Sequence, residues 1–171
     1  MREACQRIAD ASDAEWWHGR FEPYFRMMAS DKGFNKNVRA MEHDLGLLDV
    51  NISGKRALDA GCGSSIYGVV LALEGAAEVD GLDVWEEEIC FARGYLRDIL
   101  GGTLPVSIHN RNVGDTGFPD AHFDLVFCRE AISHFHDPYG FLQEAARVLK
   151  PGGKLFISDG NNASNPRIRN R

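Results

Sequence analysis

The stretch Ala57-Leu58-Asp59-Ala60-Gly61-Cys62-Gly63-Ser64-Ser65 limits what this chain can become more than any other. An apolar run ends in an acid, passes through two glycines and enters a second run opened by serine. Strand, tight turn and helix is the reading that fits. The glycines permit the turn and let a ligand approach where a Cβ would collide. The helix N-terminus adds unpaired N–H groups and a partial positive charge. Roughly twenty residues on, Val79-Asp80-Gly81-Leu82-Asp83 predicts a second strand that also ends in an acid. An acid there can accept from two ribose hydroxyls, so the two strand ends have the layout of a βαβ nucleoside site.

The pattern continues as alternating strand and helix. Strands are predicted at Arg56–Ala60, Glu78–Asp83, Val106–His109, Phe123–Cys128 and Lys154–Ser158. A helix over Ser65–Glu74 is closed by Gly75. A longer one over Trp85–Leu100 buries Trp85, Ile89, Ala92, Leu96, Ile99 and Leu100 at 3-and-4 spacing, with Glu86, Glu87 and Glu88 in its first turn. Asp137-Pro138 opens the last helix, Tyr139–Leu149, and Lys150-Pro151-Gly152-Gly153 stops it. Repeated βα units imply an α/β fold, a mostly parallel sheet with helices on both faces and right-handed crossovers. Ligands of such sheets sit at the carboxyl ends of the strands, where Asp59 and Asp83 both fall.

Residues 1–53 read as a separate N-terminal helical cap and 54–171 as the core. Trp16, Trp17, Phe21, Tyr24 and Phe25 crowd into a few turns, either packing the segment onto the sheet or forming a lid that lines the acceptor pocket. A chain of 171 residues is long enough for one real core. Its net charge of -6 argues against a nucleic-acid backbone as partner. No apolar run approaches the roughly 20 residues of a membrane helix. The N-terminus lacks the apolar stretch of a secretion signal. Cys5, Cys62, Cys90 and Cys128 lack the spacing of a zinc or redox site, so no metal is expected, Cys90 and Cys128 read as buried thiols, and a reducing cytoplasm is the expected location.

Four motifs in order resemble the class I S-adenosylmethionine-dependent methyltransferases of small-molecule type, whose fold is Rossmann-like. They are Leu58-Asp59-Ala60-Gly61-Cys62-Gly63, Gly81-Leu82-Asp83, Asn112-Val113-Gly114-Asp115 with Phe118 to Val126, and Val148 to Leu155. The resemblance implies S-adenosylmethionine as cofactor and a small-molecule methyl acceptor. It implies that Gly61, Cys62 and Gly63 lie against the methionine part, and that Asp59 orients this loop and the cofactor's amino group. Asp83 would take the ribose hydroxyls, and Val84 and Trp85 would cover the adenine. The Asn112 side chain would accept from the adenine amine while the Val113 N–H faces a ring nitrogen. Asp115 falls later in the loop. The Arg129 carbonyl would meet the cofactor's ammonium group.

Methyl transfer from a sulfonium needs mainly orientation and exclusion of water; a base is required only if the acceptor loses a proton early. His134 is the candidate, in Glu130-Ala131-Ile132-Ser133-His134, where relatives often carry Glu at the position of Ser133. A loop-anchoring role for His134 is the other reading. Relatives continue past the fifth strand, whereas residues 161–167 read as polar and turn-like. The expectation is therefore a fragment or truncated product lacking a C-terminal segment over the fifth-strand edge; the other readings are a partner covering that edge, such as a second copy in a homo-oligomer, and a reduced form of the fold. The alternative is a non-catalytic S-adenosylmethionine-binding domain acting with a partner. A nicotinamide enzyme is disfavoured because Ile66 occupies the place of the third glycine.

Overall fold

The computed structural model describes residues 2–160; the turn-like reading of 161–167 lies outside them. Strands β1 (Arg56–Ala60), β2 (Glu78–Asp83), β3 (Val106–Asn110), β4 (Phe123–Arg129) and β5 (Leu149–Ser158) form one sheet in the order β3-β2-β1-β4-β5, every pairing parallel. The order reverses at β1, between β2 and β4, and this places the ligand cleft beside the turn after β1. The fifth strand starts earlier than its sequence suggests. Leu149 already pairs with Phe123, and the Lys150-Pro151-Gly152-Gly153 stretch is absorbed as a register shift before Lys154 pairs with Leu125. That makes β5 one edge of the sheet and β3 the other.

Helices α1 (Arg2–Ala9), α2 (Glu22–Ala29) and α3 (Asp31–Leu47) precede the sheet; α4 (Ile66–Leu73), α5 (Glu86–Asp98) and α6 (Pro138–Val148) connect its strands. On one face, α3 and α4 bury Met41, Leu45, Val70 and Leu71 with Phe127 and Phe156. On the other, Phe141, Ala145 and Val148 of α6 bury Leu58, Leu82 and Val126. The α6 start is made as its sequence implies, with the Asp137 side chain accepting from the Gly140 N–H at 2.9 Å and proline in the first turn.

The α5 helix is buried on two sides. Ile89, Ala92 and Leu96 take the predicted inward positions, but Phe91 and Tyr95 are also buried, under the N-terminal segment. Trp85 precedes the helix instead of joining its apolar stripe, and is 67% exposed. Cys90 is exposed, while Cys5, Cys62 and Cys128 are buried and all four thiols are free. The N-terminal aromatics therefore cover α5: Trp16, Phe21 and Phe25 lie 4.2 to 5.5 Å, centroid to centroid, from the Phe91 ring, with Tyr95 of α5 itself at 5.6 Å. The Trp16 indole N–H donates to Asp98 at 2.7 Å. Replacing the hub, Phe91→Ala, should cost about 3–5 kcal/mol of unfolding free energy. Urea denaturation would measure it, and a loss under 1 kcal/mol would mean that the aromatic cluster does not hold this segment.

Candidate functional site

The turn after β1 is shaped by steric exclusion. Gly61 has φ +75° and a Cβ there would come within 2.6 Å of the Ala131 Cβ and 3.1 Å of the Phe135 ring. Gly63 has φ +49° and a Cβ there would run into the Glu88 carboxylate. Behind the turn, Gly81 of β2 leaves room for the Cys62 side chain, whose Sγ would otherwise meet a Cβ at 2.9 Å. Ser65 also has a left-handed backbone, φ 55°, and makes no side-chain cap. Its hydroxyl is turned inward, buried and without a hydrogen-bond partner.

Asp83 ties this turn to the next one. Its Oδ2 accepts from the Gly63 N–H at 2.8 Å, and its Oδ1 from the N–H groups of Val84 at 2.7 Å and Trp85 at 3.0 Å. A carboxylate has about four acceptor sites, so one remains for a further donor. The main chain of Cys62 and Gly61 donates in addition to the Leu82 carbonyl, both at 2.9 Å.

These groups open on a cleft of about 590 Å³ at the carboxyl ends of the strands. Of the residues singled out in the sequence, Gly61, Gly63, Asp83, Val84, Asn112, Val113 and His134 line it, as does Trp85. The Asn112 Oδ1 accepts from the Gly114 N–H at 2.8 Å, which curls the loop after β3 and keeps Val113 beside it. Asp59, Cys62 and Arg129 are not on the wall. Cys62 is buried behind the turn, and burial, with Asp59 and Asp83 nearby, pushes its thiol well up. The Arg129 guanidinium points away, 4.9 Å over the Tyr67 ring and 3.5 Å from Asp44.

The cleft also takes Glu88, Arg111, Glu130, Ala131, Phe135, His136 and Asp137, which the sequence reading did not assign to the ligand. In the sequence Glu88 is one of three acids favouring a helix start. Burial and then the charge of Asp83 raise its pKa, opposed by Arg20, which bonds it at 2.8 Å. Through that bond the N-terminal segment reaches the cleft wall. Glu130 follows directly on β4, where the strand-end rule pointed, and holds a left-handed φ of 54° that costs a non-glycine residue about 1–3 kcal/mol. Its N–H donates to the Ser158 carbonyl at 2.7 Å. The loop carrying His134 is tied down by the Ser133 N–H, which donates to Asp159 at 2.9 Å and lowers that acid's pKa.

Asp59 lies under the turn, 2% exposed, with one carboxyl oxygen unpartnered. Burial raises its pKa to about 7, against a lowering hydrogen bond from the Gly68 amide. Unfolded, the same carboxyl ionises near 4. Between those values the unfolded state sheds a proton that the folded state keeps, so this group removes stability as pH rises from about 4 to 7. Asp59→Asn should flatten that part of the stability profile. Denaturant titrations of ligand-free protein at half-unit pH steps would test this, and an unaltered slope in the variant would refute a protonated, buried Asp59.

The chain matches the family described as "Methyltransferase domain" over residues 58–157. It is 33% identical over 154 residues to a ubiquinone biosynthesis O-methyltransferase of Sodalis glossinidius, covering 87% of this chain and 55% of that protein. The chain spans about half the length of the curated relatives it matches. Among solved structures, a SAM-dependent methyltransferase from Aquifex aeolicus is 26% identical with a TM-score of 0.66, over 74% of this chain and 66% of that one. The cyclase SpnF is 25% identical with a TM-score of 0.64, over 70% of this chain and 43% of that one.

Proposed function

The chain belongs to the methyltransferase-domain family, and from that premise we propose that it transfers a methyl group from S-adenosylmethionine to a small-molecule acceptor. The observation that carries the reading is the Asp83 carboxylate bonded to the Gly63 amide on the wall of the same cleft that holds Asn112 and Val113. Three strand ends thus present a carboxylate with one acceptor site left, a Cβ-free turn and an amide-bearing loop around one space of about 590 Å³. A cofactor of this kind supplies a methyl group already activated on a sulfonium.

The protein's own tasks follow. Asp83 holds the sugar through its remaining acceptor site, with Glu88 adding a second carboxylate to that wall. Gly61 and Gly63 let the amino-acid tail lie against the backbone, and Asp59 and Cys62 support the turn from beneath. Asn112 and Val113 read the base, and Val84 and exposed Trp85 cover it. The Arg129 carbonyl, just before the chain turns at Glu130, faces the tail's ammonium group. His134 is exposed on the cleft loop and takes a proton from an acceptor that must lose one. Residues 1–53 act as a cap on a core running from residue 54, with Arg20 as their link to the cleft.

The Sodalis relative's name makes an oxygen the first acceptor atom to test here. Four free thiols fit a reducing cytoplasm, and among the described residues no helix is long and apolar enough to cross a membrane. The acidic chain fits a metabolite better than a nucleic acid. The edge of β5, where Ile157 is 39% exposed, is where a second copy or a further C-terminal segment would add.

Calorimetric titration with S-adenosylhomocysteine tests the cofactor site. The Asp83→Ala variant should bind roughly 10- to 100-fold more weakly, because hydrogen bonds to a charged group are worth about 1.5–3 kcal/mol. Equal binding by wild type and variant would rule out the assignment of Asp83. Incorporation of labelled methyl groups into phenolic acceptors tests the chemistry, and since SpnF shares this architecture, binding alone does not establish transfer.

A further inference from the structure

A buried polar network stands behind the Asn112–Val113 loop, outside the cleft. Its centre is Glu144 of α6, which is 9% exposed. The Glu144 Oε1 accepts from the Thr116 N–H at 2.8 Å, from the Thr116 hydroxyl at 2.6 Å and from Arg147 Nη2 at 2.7 Å; Oε2 accepts from Arg147 Nε at 2.8 Å. Arg147 in turn donates to the Phe118 carbonyl at 2.8 Å and to Asp120 at 2.6 Å. The pair with Arg147 holds the Glu144 carboxyl down at about 2, so it is charged at any working pH.

Thr116 is gripped from both sides. It is 1% exposed, its N–H and hydroxyl go to Glu144, and its carbonyl accepts from Arg111 Nη1 at 2.8 Å. Arg111 lies on the cleft wall, and its own N–H donates to the Asp83 carbonyl at 3.1 Å. The loop from 111 to 118 is therefore a closed strap. One end is fixed to β2 and the other to α6, and Asn112 and Val113 are held between them facing the cleft.

We propose that Glu144 is a positioning residue for recognition of the nucleobase: without touching the ligand, it sets the place of the Asn112 carbonyl and the Val113 N–H. The inference rests on the cofactor reading above. A single carboxylate serves four donors from two residues, whereas a Gln side chain has one acceptor oxygen, and its NH₂, set against the Arg147 guanidinium, meets a group with no acceptor. The network that grips the strap then loses the Arg147 Nε bond at a largely buried carboxyl, where an unmet donor is costly.

The test compares two ligands. S-Adenosylhomocysteine offers an exocyclic amine and a ring-nitrogen acceptor to Asn112 and Val113. S-Inosylhomocysteine has a carbonyl in place of the amine and a proton on that nitrogen, so it makes neither contact. Wild type should prefer the adenosyl ligand. Glu144→Gln should raise the Kd for the adenosyl ligand about tenfold and leave that for the inosyl ligand within about twofold, as expected for one displaced hydrogen-bonded loop. Thr116→Val, which removes only the hydroxyl donor, should reduce the preference in the same direction, and it decides the matter if E144Q does not fold. A merely structural role would weaken both ligands equally, so a folded variant that keeps the wild-type preference overturns the proposal. Wild type that binds the adenosyl ligand without preferring it also overturns it. If wild type does not bind S-adenosylhomocysteine at all, the cofactor reading fails, and this inference with it.

Discussion

Asp83 takes three main-chain amides, and through them the turn after β1 and the turn into α5 become one rigid rim. Neither turn has a side-chain cap of its own: Ser65 points inward and Trp85 has no oxygen to offer. The carboxylate at the end of β2 instead accepts main-chain amides from both turns, at distances of 2.7 to 3.0 Å. Charge-assisted bonds of this kind are about twice as strong as neutral ones, and here they hold the wall of the cleft rather than the core. Everything that lines the cleft on that side, from Gly63 to Trp85, is placed relative to this one group.

Around that rim the protein tolerates features that a purely structural domain would avoid. Asp59 is buried with an unpartnered oxygen, Ser65 is buried with an unpartnered hydroxyl, and Glu130 holds a left-handed backbone. Each costs free energy, and all three lie within or next to the turns that shape the cleft. Their grouping at the carboxyl ends of β1 and β4 is the pattern expected where the backbone is held for a ligand, while elsewhere in the sheet the buried Asp80 of β2 is met by His109 of β3 at 2.7 Å.

Two outer elements brace the rim from opposite sides. On one side the N-terminal aromatics close over Phe91 and Tyr95, and Arg20 bonds Glu88 at the cleft. On the other, the Glu144–Arg147 pair grips the loop after β3 from beneath. Both braces use residues far apart in sequence, Arg20 with Glu88 and Thr116 with Glu144, so the cleft is a product of tertiary closure around locally formed turns.

The division between what was legible and what was not follows from the range of the forces involved. Glycine spacing, acids at strand ends, an Asp-Pro helix start and alternating apolar runs act over a few residues. From them the sequence by itself determined five strands, a parallel α/β order and the presence of Asp83 at a strand end, while Asn112 and Val113 were named through the resemblance of the loop after the third strand. It also misplaced Trp85 and Cys90, because 3-and-4 spacing and apolar neighbours do not reveal where a helix begins or what covers it. Only the tertiary structure decided that α5 is buried on two faces, that Asp59 and Arg129 stand off the cleft wall, and that Glu88, Arg111 and Glu130 line it. Those outcomes depend on which side chains from distant segments share one volume, and packing and long-range ion pairs leave no periodic trace along the chain.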